Sequence, residues 1–480
     1  MPQAIRLALC AVAVVACLVT DLVGSGATPS AGPTAFPSDA EIRRILAERV
    51  DALGGDGIGI VVGVVGPQGR RVVSYGHSRE GSSRAPDGRT VFEIGSVAKA
   101  LTALLLADMV RRGEVALSDP VARYLPQPAI PARNGRPITL LDLATHTSGL
   151  PFMPELPTEA MRTPATAYTV SDLRDFLAGY ELPYDAGTRW EYSNVGYWLL
   201  GEALASRAGM EFRNLLHARV IAPLKLANTA FALTPTMKAN LAVGHDAALQ
   251  PSAPLSTLPV YSLMPAAGTG LFSTVNDLST LLAVAMGYES SPLSAALAAT
   301  VTTRRKIDQD GDEQALGWTV IGTGNEQLVF RDGGTLGHAS SVAWDRLNRV
   351  GVVVLSNQVA SVSDIARHLL RPDFPLERPA SARHTEIGLD AAILDTYVGR
   401  YEAPGEGVFS IIRETDHLVI ESPAAWGLPT LRLRPESVLE FFASELPLRV
   451  TFQTDAAGRV HGMLVYPPRG QKAVPASRIG

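Results

Sequence analysis

The chain has 480 residues, 46% of them apolar and 19% charged, with a formal net charge of −5. That is ordinary globular composition, long enough for two or three domains, and with no basic stripe it speaks against a nucleic-acid partner. The nine histidines show neither H-x-H-x-D nor H-E-x-x-H spacing, and the two cysteines, Cys10 and Cys17, stand near the start, so nothing points to a metallohydrolase.

Arg6 precedes an uncharged apolar run, Leu7 to Thr20, and small residues follow at Ser25-Gly26-Ala27. This is the layout of a secretory signal peptide over residues 1–27, cleaved after Ala27. The alternatives are lipoprotein processing at Cys17, behind Val14-Val15-Ala16, and retention as a membrane anchor, for which the run is short. Cleavage after Ala27 leaves a cysteine-free, secreted or periplasmic protein with no disulfide, thiol nucleophile or membrane span.

Residues 28–36 are small and Pro-rich and read as a lead-in. Ser38-Asp39 caps an amphipathic helix over 40–50. The β-branched run 58–65, the turn Gly66-Pro67-Gln68-Gly69 and the return Arg71 to Tyr75 predict a hairpin. Val97 to Val110 is rich in Ala and Leu without Pro or Gly, the composition of a buried helix, and Gly113 stops it. Ile138 to His146 reads as a capped short helix, Leu199 to Ala208 as another, and Asn276 as the cap of a third running to Met286. The stretches 151–168 and 246–266 are Pro-rich loops of the kind that wall a site. Ser340–Trp344 and Gly351–Leu355 predict a second hairpin, central in a sheet, with a helix over 364–370 behind it.

Strands at both ends with helices between them predict an α/β (α+β) domain, an antiparallel sheet flanked by helices with an inserted helical lobe, over residues 28–375. A linker follows over 376–390. From Tyr397 the texture changes to short strands at 397–401, 409–412, 417–420, 431–433, 448–452 and 460–466, which predict a small all-β barrel or sandwich, lipocalin-like and accessory, over 391–480.

The chemistry centres on Ser96 and Lys99. Ser96 falls at a helix start, where free N–H groups favour developing negative charge. Lys99 lies three residues on, on the same helix face. A serine beside a lysine in apolar surroundings is one way to activate a hydroxyl. Farther on, Tyr192-Ser193-Asn194 places a Tyr and an Asn before a helix, and Arg331-Asp332-Gly333-Gly334 is a charged, glycine-rich segment whose backbone can approach a ligand closely. His146, among apolar positions at helix spacing, and His338, after the glycine stretch, both read as structural. No G-x-S-x-G elbow occurs, which disfavours an α/β-hydrolase.

Ser96-Val97-Ala98-Lys99, then Tyr192-Ser193-Asn194, then a basic residue with glycines, stand in the order and spacing of the penicillin-recognising serine hydrolases. The chain resembles most the class C β-lactamase branch, with its D-alanyl-D-alanine carboxypeptidases and family VIII esterases. The phrases ITLLDLATHTSGLP (Ile138 to Pro151), AGTRWEYSNVGYWLLG (Ala186 to Gly201) and AAGTGLFSTVND (Ala266 to Asp277) are similar too, and the likeness spans Ala40 to Leu370. It implies a β-lactamase/transpeptidase-like fold and a cofactor-free acyl-enzyme mechanism on β-lactams or D-alanyl peptides of peptidoglycan. The alternatives are carboxyl esters, or a non-turnover receptor for cell-wall fragments. It implies Ser96 as nucleophile, Lys99 and Tyr192 sharing the general-base work, and Asn194 positioning the substrate amide and Lys99. Gly334 and Ser96 would supply the oxyanion hole, with Arg331 and Gly333 on the substrate-binding strand. The family's third motif opens with Lys or His. Arg331 keeps the charge and can grip a carboxylate but cannot act as a base; Asp332 beside it is expected to cancel part of its field.

Overall fold

The computed structural model describes residues 36–479, except 55, 82–83, 126–129, 155–168, 247–248, 258–261, 308–311, 325–326, 378–385, 416, 424–425, 427, 429, 444–447 and 467–472. The signal-peptide and Cys17 readings, most of the 151–168 loop and part of the linker lie outside the described residues.

The centre is an eight-stranded antiparallel sheet: β1 (Gly59–Gly66), β2 (Gly69–Gly76), β3 (Arg304–Lys306), β4 (Glu313–Ala315), β5 (Thr319–Ile321), β6 (Leu328–Gly334), β7 (Ala339–Asp345) and β8 (Val350–Ser356), in the order β2-β1-β8-β7-β6-β5-β4-β3. The two hairpins expected from the β-branched runs meet where β1 pairs with β8, Val62 opposite Val354. Strands β1, β7 and β8 are buried along nearly their whole length, which is why β1 and β8 read as continuous apolar runs rather than alternating ones. Helix Val275–Ala285 packs against β1 and β8. Gly63 admits it, since a Cβ there would lie 2.4 Å from Val275 Cγ1. Helix Asp39–Ala52 packs on β2 and helix Ser363–Leu370 on β7 and β8, and the buried pair Arg49–Asp364 joins the two helices.

The helix that carries Lys99 runs from Ala98 to Arg111, and twelve of its residues are buried. Gly113 follows at φ +70°, the left-handed stop its sequence predicts. Gly317 lets the β4–β5 turn lie directly on this helix, because a Cβ there would meet Lys99 O at 2.7 Å.

Two helix starts differ from their sequence reading. Thr274, not Asn276, caps helix Val275–Ala285, its hydroxyl accepting from Asp277 N, because the short strand Phe272–Thr274 runs straight into the helix. The helix expected from Leu199 begins at Asn194, with Ser193 Oγ as its cap. The Tyr–Asn pair therefore straddles a helix N-terminus.

The C-terminal part is a closed eight-stranded barrel from Gly399 to Ile479. It includes two strands the sequence did not single out, Glu440–Ala443 and Val474–Ile479, both short and broken by charged residues or proline. The second closes the barrel, with Tyr401 paired to Arg478. Tyr401, Phe409, Phe441 and Phe452 fill the interior, and Tyr397, from the preceding helix Ala391–Tyr397, stacks on Phe452 at 4.4 Å. The barrel thus encloses side chains, as small barrels do. Among the described residues, no helix is long and apolar enough to cross a membrane.

Candidate active site

Ser96 sits in a single 3-10 turn, Gly95–Val97, at the head of the Lys99 helix. Three glycines crowd this turn. A Cβ on Gly95 would lie 2.6 Å from Gly334 O, one on Gly333 would lie 2.3 Å from Ile94 O and 3.0 Å from Ser96 N, and one on Gly268 would lie 2.2 Å from Gly95 O. Only residues without a side chain let the end of β6 and the 265–268 turn close on the serine from two sides. Ser340, opposite Gly333 across β6 and β7, donates to Ile94 O at 2.8 Å and ties the sheet to the same turn.

Lys99 is fully buried beneath the serine. Its Nζ donates to Ser96 Oγ at 3.0 Å, to Asn194 Oδ1 at 2.8 Å and to Ala267 O. Three acceptors match the three N–H bonds of an ammonium. The Ala267 carbonyl belongs to a phrase the sequence marked as familiar, yet a backbone acceptor leaves no signature in side-chain chemistry.

The Tyr192 phenol lies 2.8 Å from Ser96 Oγ on the other side, and Arg331 Nη2 donates to it at 2.7 Å. Arg331 is buried, points into the site from β6, and also donates from Nε to Ser96 O at 3.2 Å. Burial pushes the Tyr192 phenol up, but the cations of Arg331 and Lys99 outweigh it and bring the phenol down to about 8. Tyr197 also faces Lys99, 5.5 Å from Nζ to ring centroid, yet burial drives its phenol well up, and it donates to Ala144 O at 2.9 Å. Two tyrosines beside one lysine are thus pushed apart in acidity, and only Tyr192 is poised to exchange a proton near neutral pH.

Asn194 is held by its backbone N–H, which donates to Phe152 O at 3.0 Å, and by Ser193, which caps the helix and donates to Pro151 O at 2.7 Å. All the residues singled out in sequence, Ser96, Lys99, Tyr192, Asn194, Arg331, Gly333 and Gly334, meet around one serine hydroxyl.

Asp332 does not act as expected. Successive β6 side chains point to opposite faces, so its carboxylate turns from Arg331 and accepts from Arg367 at 2.7 Å and Ser341 at 2.6 Å. The field of Arg331 at Tyr192 is left to act. His338, which the sequence reads as structural, packs edge-on to Phe92, and burial holds it down at about 4. Glu93 escaped the sequence reading. Its buried carboxylate accepts from Leu255 N at 2.9 Å and Gly270 N at 3.0 Å, pinning the loop that supplies Ala267.

A beta-lactamase family model matches residues 42–373. The D-alanyl-D-alanine-carboxypeptidase/endopeptidase AmpH of Escherichia coli (strain K12) is 27% identical over 353 residues, covering 68% of this chain and 89% of its own length. A Pseudomonas fluorescens beta-lactamase is 28% identical over 354 residues, covering 66% of this chain and 94% of its own. The solved structure of a Yersinia pestis beta-lactamase/D-alanine carboxypeptidase complexed with citrate superposes with a TM-score of 0.56 at 25% identity, over 68% of this chain and 93% of that one. The structure of a class C beta-lactamase, 20% identical, shares the fold with a TM-score of 0.57 over 68% of this chain and 94% of that one.

Proposed function

The chain belongs to the beta-lactamase family, and we propose that it is a serine hydrolase that forms an acyl-enzyme on Ser96 with β-lactams or D-alanyl peptides. The observation that carries this reading is the Ser96 hydroxyl set between Lys99 Nζ at 3.0 Å and the Tyr192 phenol at 2.8 Å.

In this reading Tyr192 is the proton acceptor and Lys99 stays an ammonium, held by Asn194 and Ala267. Tyr192 takes the hydroxyl proton as Ser96 Oγ attacks the carbonyl carbon. The negative charge that forms on the carbonyl oxygen is met by the backbone N–H groups of Ser96 and Gly334, at the positive end of the helix. The C–N bond breaks, Tyr192 protonates the leaving nitrogen, and a water whose proton Tyr192 takes then cleaves the ester, the departing Ser96 Oγ taking that proton back from Tyr192. Arg331 lowers the Tyr192 phenol and faces the carboxylate that ends both substrate classes. Its Nη1 has no hydrogen-bond partner among the described residues and is the edge free to meet that carboxylate.

The carboxylester reading rests on the same residue. Two of the three guanidinium nitrogens of Arg331 are committed to Tyr192 and Ser96, so a substrate without a carboxylate gives up little there. The apolar run after Arg6 supports export, with residues 28–375 as the hydrolase and the barrel as an accessory domain. The test is labelling by a fluorescent penicillin, with nitrocefin and p-nitrophenyl ester turnover alongside, in the protein and in Ser96→Ala. A covalent adduct on Ser96 that then hydrolyses supports the enzyme, and a stable adduct the receptor. Neither label nor turnover, or both surviving in Ser96→Ala, ends the reading.

A further inference from the structure

We propose that His146 is the positioning residue for Tyr192, gripping the peptide on both sides of the phenol-bearing residue and seating its ring. The proposal rests on the reading of Tyr192 as proton acceptor and deepens it.

Three contacts converge on one residue. The His146 carbonyl accepts from Glu191 N at 2.7 Å. Its ring Nδ1 accepts from Ser193 N at 3.1 Å. Its ring lies against the Tyr192 ring, centroids 4.3 Å apart and tilted by 33°, with Tyr197 at 5.0 Å and Trp190 edge-on at 6.4 Å. A residue that bonds the amides before and after Tyr192 and also packs on its ring leaves the phenol little freedom to leave Ser96.

The backbone carries the same message. His146 has φ +56°, a left-handed conformation that non-glycine residues seldom adopt. Here it lets carbonyl and ring face the 191–193 segment together. Such a conformation persists where the surroundings over-determine it, as they do around functional side chains.

The protonation state fits a support rather than a proton carrier. Nδ1 is an acceptor, so the proton sits on Nε2, which is buried and has no partner among the described residues. Protonating Nδ1 would set two donors against each other at Ser193 and add a third cation beside Lys99 and Arg331. Burial first, then those two cations, hold the imidazole well below its ordinary range. Glu191, on the same segment, turns its carboxylate to the Tyr184 hydroxyl, from which it accepts at 2.8 Å. A neutral ring thus holds Tyr192 at every pH at which the phenol titrates.

Two variants separate the contacts. His146→Asn keeps an acceptor and tolerates the left-handed backbone but loses the ring; His146→Phe keeps the ring and loses the acceptor. The Tyr192 titration is read as the phenolate ultraviolet signal that Tyr192→Phe removes, and needs no turnover. Each variant should move that midpoint upward and lower kcat by about tenfold with KM little changed, as for misplacement of a proton-transfer group. In the wild type, 15N-labelled His146 ring nitrogens should shift at the Tyr192 midpoint without themselves protonating, a readout that requires no variant to fold. Variants with the wild-type midpoint and kcat, or ring nitrogens silent at that midpoint, overturn the proposal. If Tyr192→Phe keeps full activity, it is the assignment of Tyr192 as base that fails, while the midpoint in the His146 variants still decides whether His146 positions the phenol.

Discussion

Arg331 Nη2 lies 2.7 Å from the Tyr192 phenol, so the cation standing where the family supplies Lys or His is bonded to the proposed base before any substrate arrives. Replacing it with a neutral side chain removes the leading charge that opposes burial. Arg331→Met should raise the Tyr192 midpoint by at least about one unit and lower kcat/KM at neutral pH by about tenfold. Raising the pH should restore part of the loss. A rate deficit that stays constant across pH would mean that Arg331 acts on substrate alone.

The pH dependence of the unmodified enzyme follows from the same group. With the phenol at about 8, activity that needs the phenolate should climb with pH and level off above that value. At pH 7 roughly one molecule in ten carries the phenolate. A kcat/KM profile flat from pH 6 to 9 would contradict this, as would a Tyr192→Phe variant losing less than about a hundredfold in acylation rate.

The sequence carried those parts of the site whose chemistry resides in side chains: Ser96, Lys99, Tyr192, Asn194 and Arg331. It carried less where backbone does the binding. Ala267 holds Lys99 through a carbonyl, and His146 matters through a left-handed φ that no composition reveals. The inward turn of Arg331 was recoverable, since strand alternation separates it from Asp332 once β6 is recognised. In the barrel, Tyr401, Phe409 and Phe452 announced strands, whereas Val474–Ile479, carrying Pro475 and Arg478, closes it by pairing with strands on both sides, the Arg478 side chain adding a bond to Thr396 O at 2.9 Å.

Asp332 is committed to Arg367 and Ser341 and faces away from Arg331. Asp332→Asn should therefore leave KM for a carboxylate-bearing substrate within about threefold and cost up to about 1 kcal/mol of stability, as expected of a half-exposed pair. Substrate titration and thermal unfolding measure the two. A large drop in KM would show that the aspartate does cancel the field of Arg331.

Burial raises the Glu93 carboxyl, against the pull of the Leu255 and Gly270 amides. The folded protein therefore holds this proton more tightly than the unfolded chain. The stability this contributes is fully present below the ordinary value of 4.5 and is lost as pH climbs through the raised one. Glu93→Gln removes that titration and sets an amide NH2 against backbone donors, which should cost about 1–3 kcal/mol. Melting curves of both proteins should differ most below pH 4.5 and converge as pH rises. A gap that widens with pH would reverse the sign.

The barrel has its own aromatic core, and the preceding chain is tied to the hydrolase at Glu377, whose amide donates to Asp364 Oδ2 at 2.8 Å and whose carbonyl accepts from Arg49 at 2.9 Å. A protein cut after Glu377 keeps both bonds and should retain turnover within about threefold. One cut at Leu370 loses them and should melt lower. Loss of all turnover on removing only the barrel would place the barrel in the site.

Arg49 belongs to the first helix of this domain and Asp364 to its last, so their buried pair ties the first and last helices of the hydrolase together. First and last helices that are joined in this way make the order of a chain a matter of convenience. A bridge long enough to span the roughly 15 Å of helix between Arg49 and Asp39, running from the Glu377 segment back to Pro37, with new ends opened in the Gly66–Gly69 turn, would circularly permute the domain while keeping every pairing between neighbouring strands except that turn. The hairpin β1–β2, first in synthesis and outermost in the sheet, would then be split between the two ends of the new chain, and Ser96 would keep its surroundings.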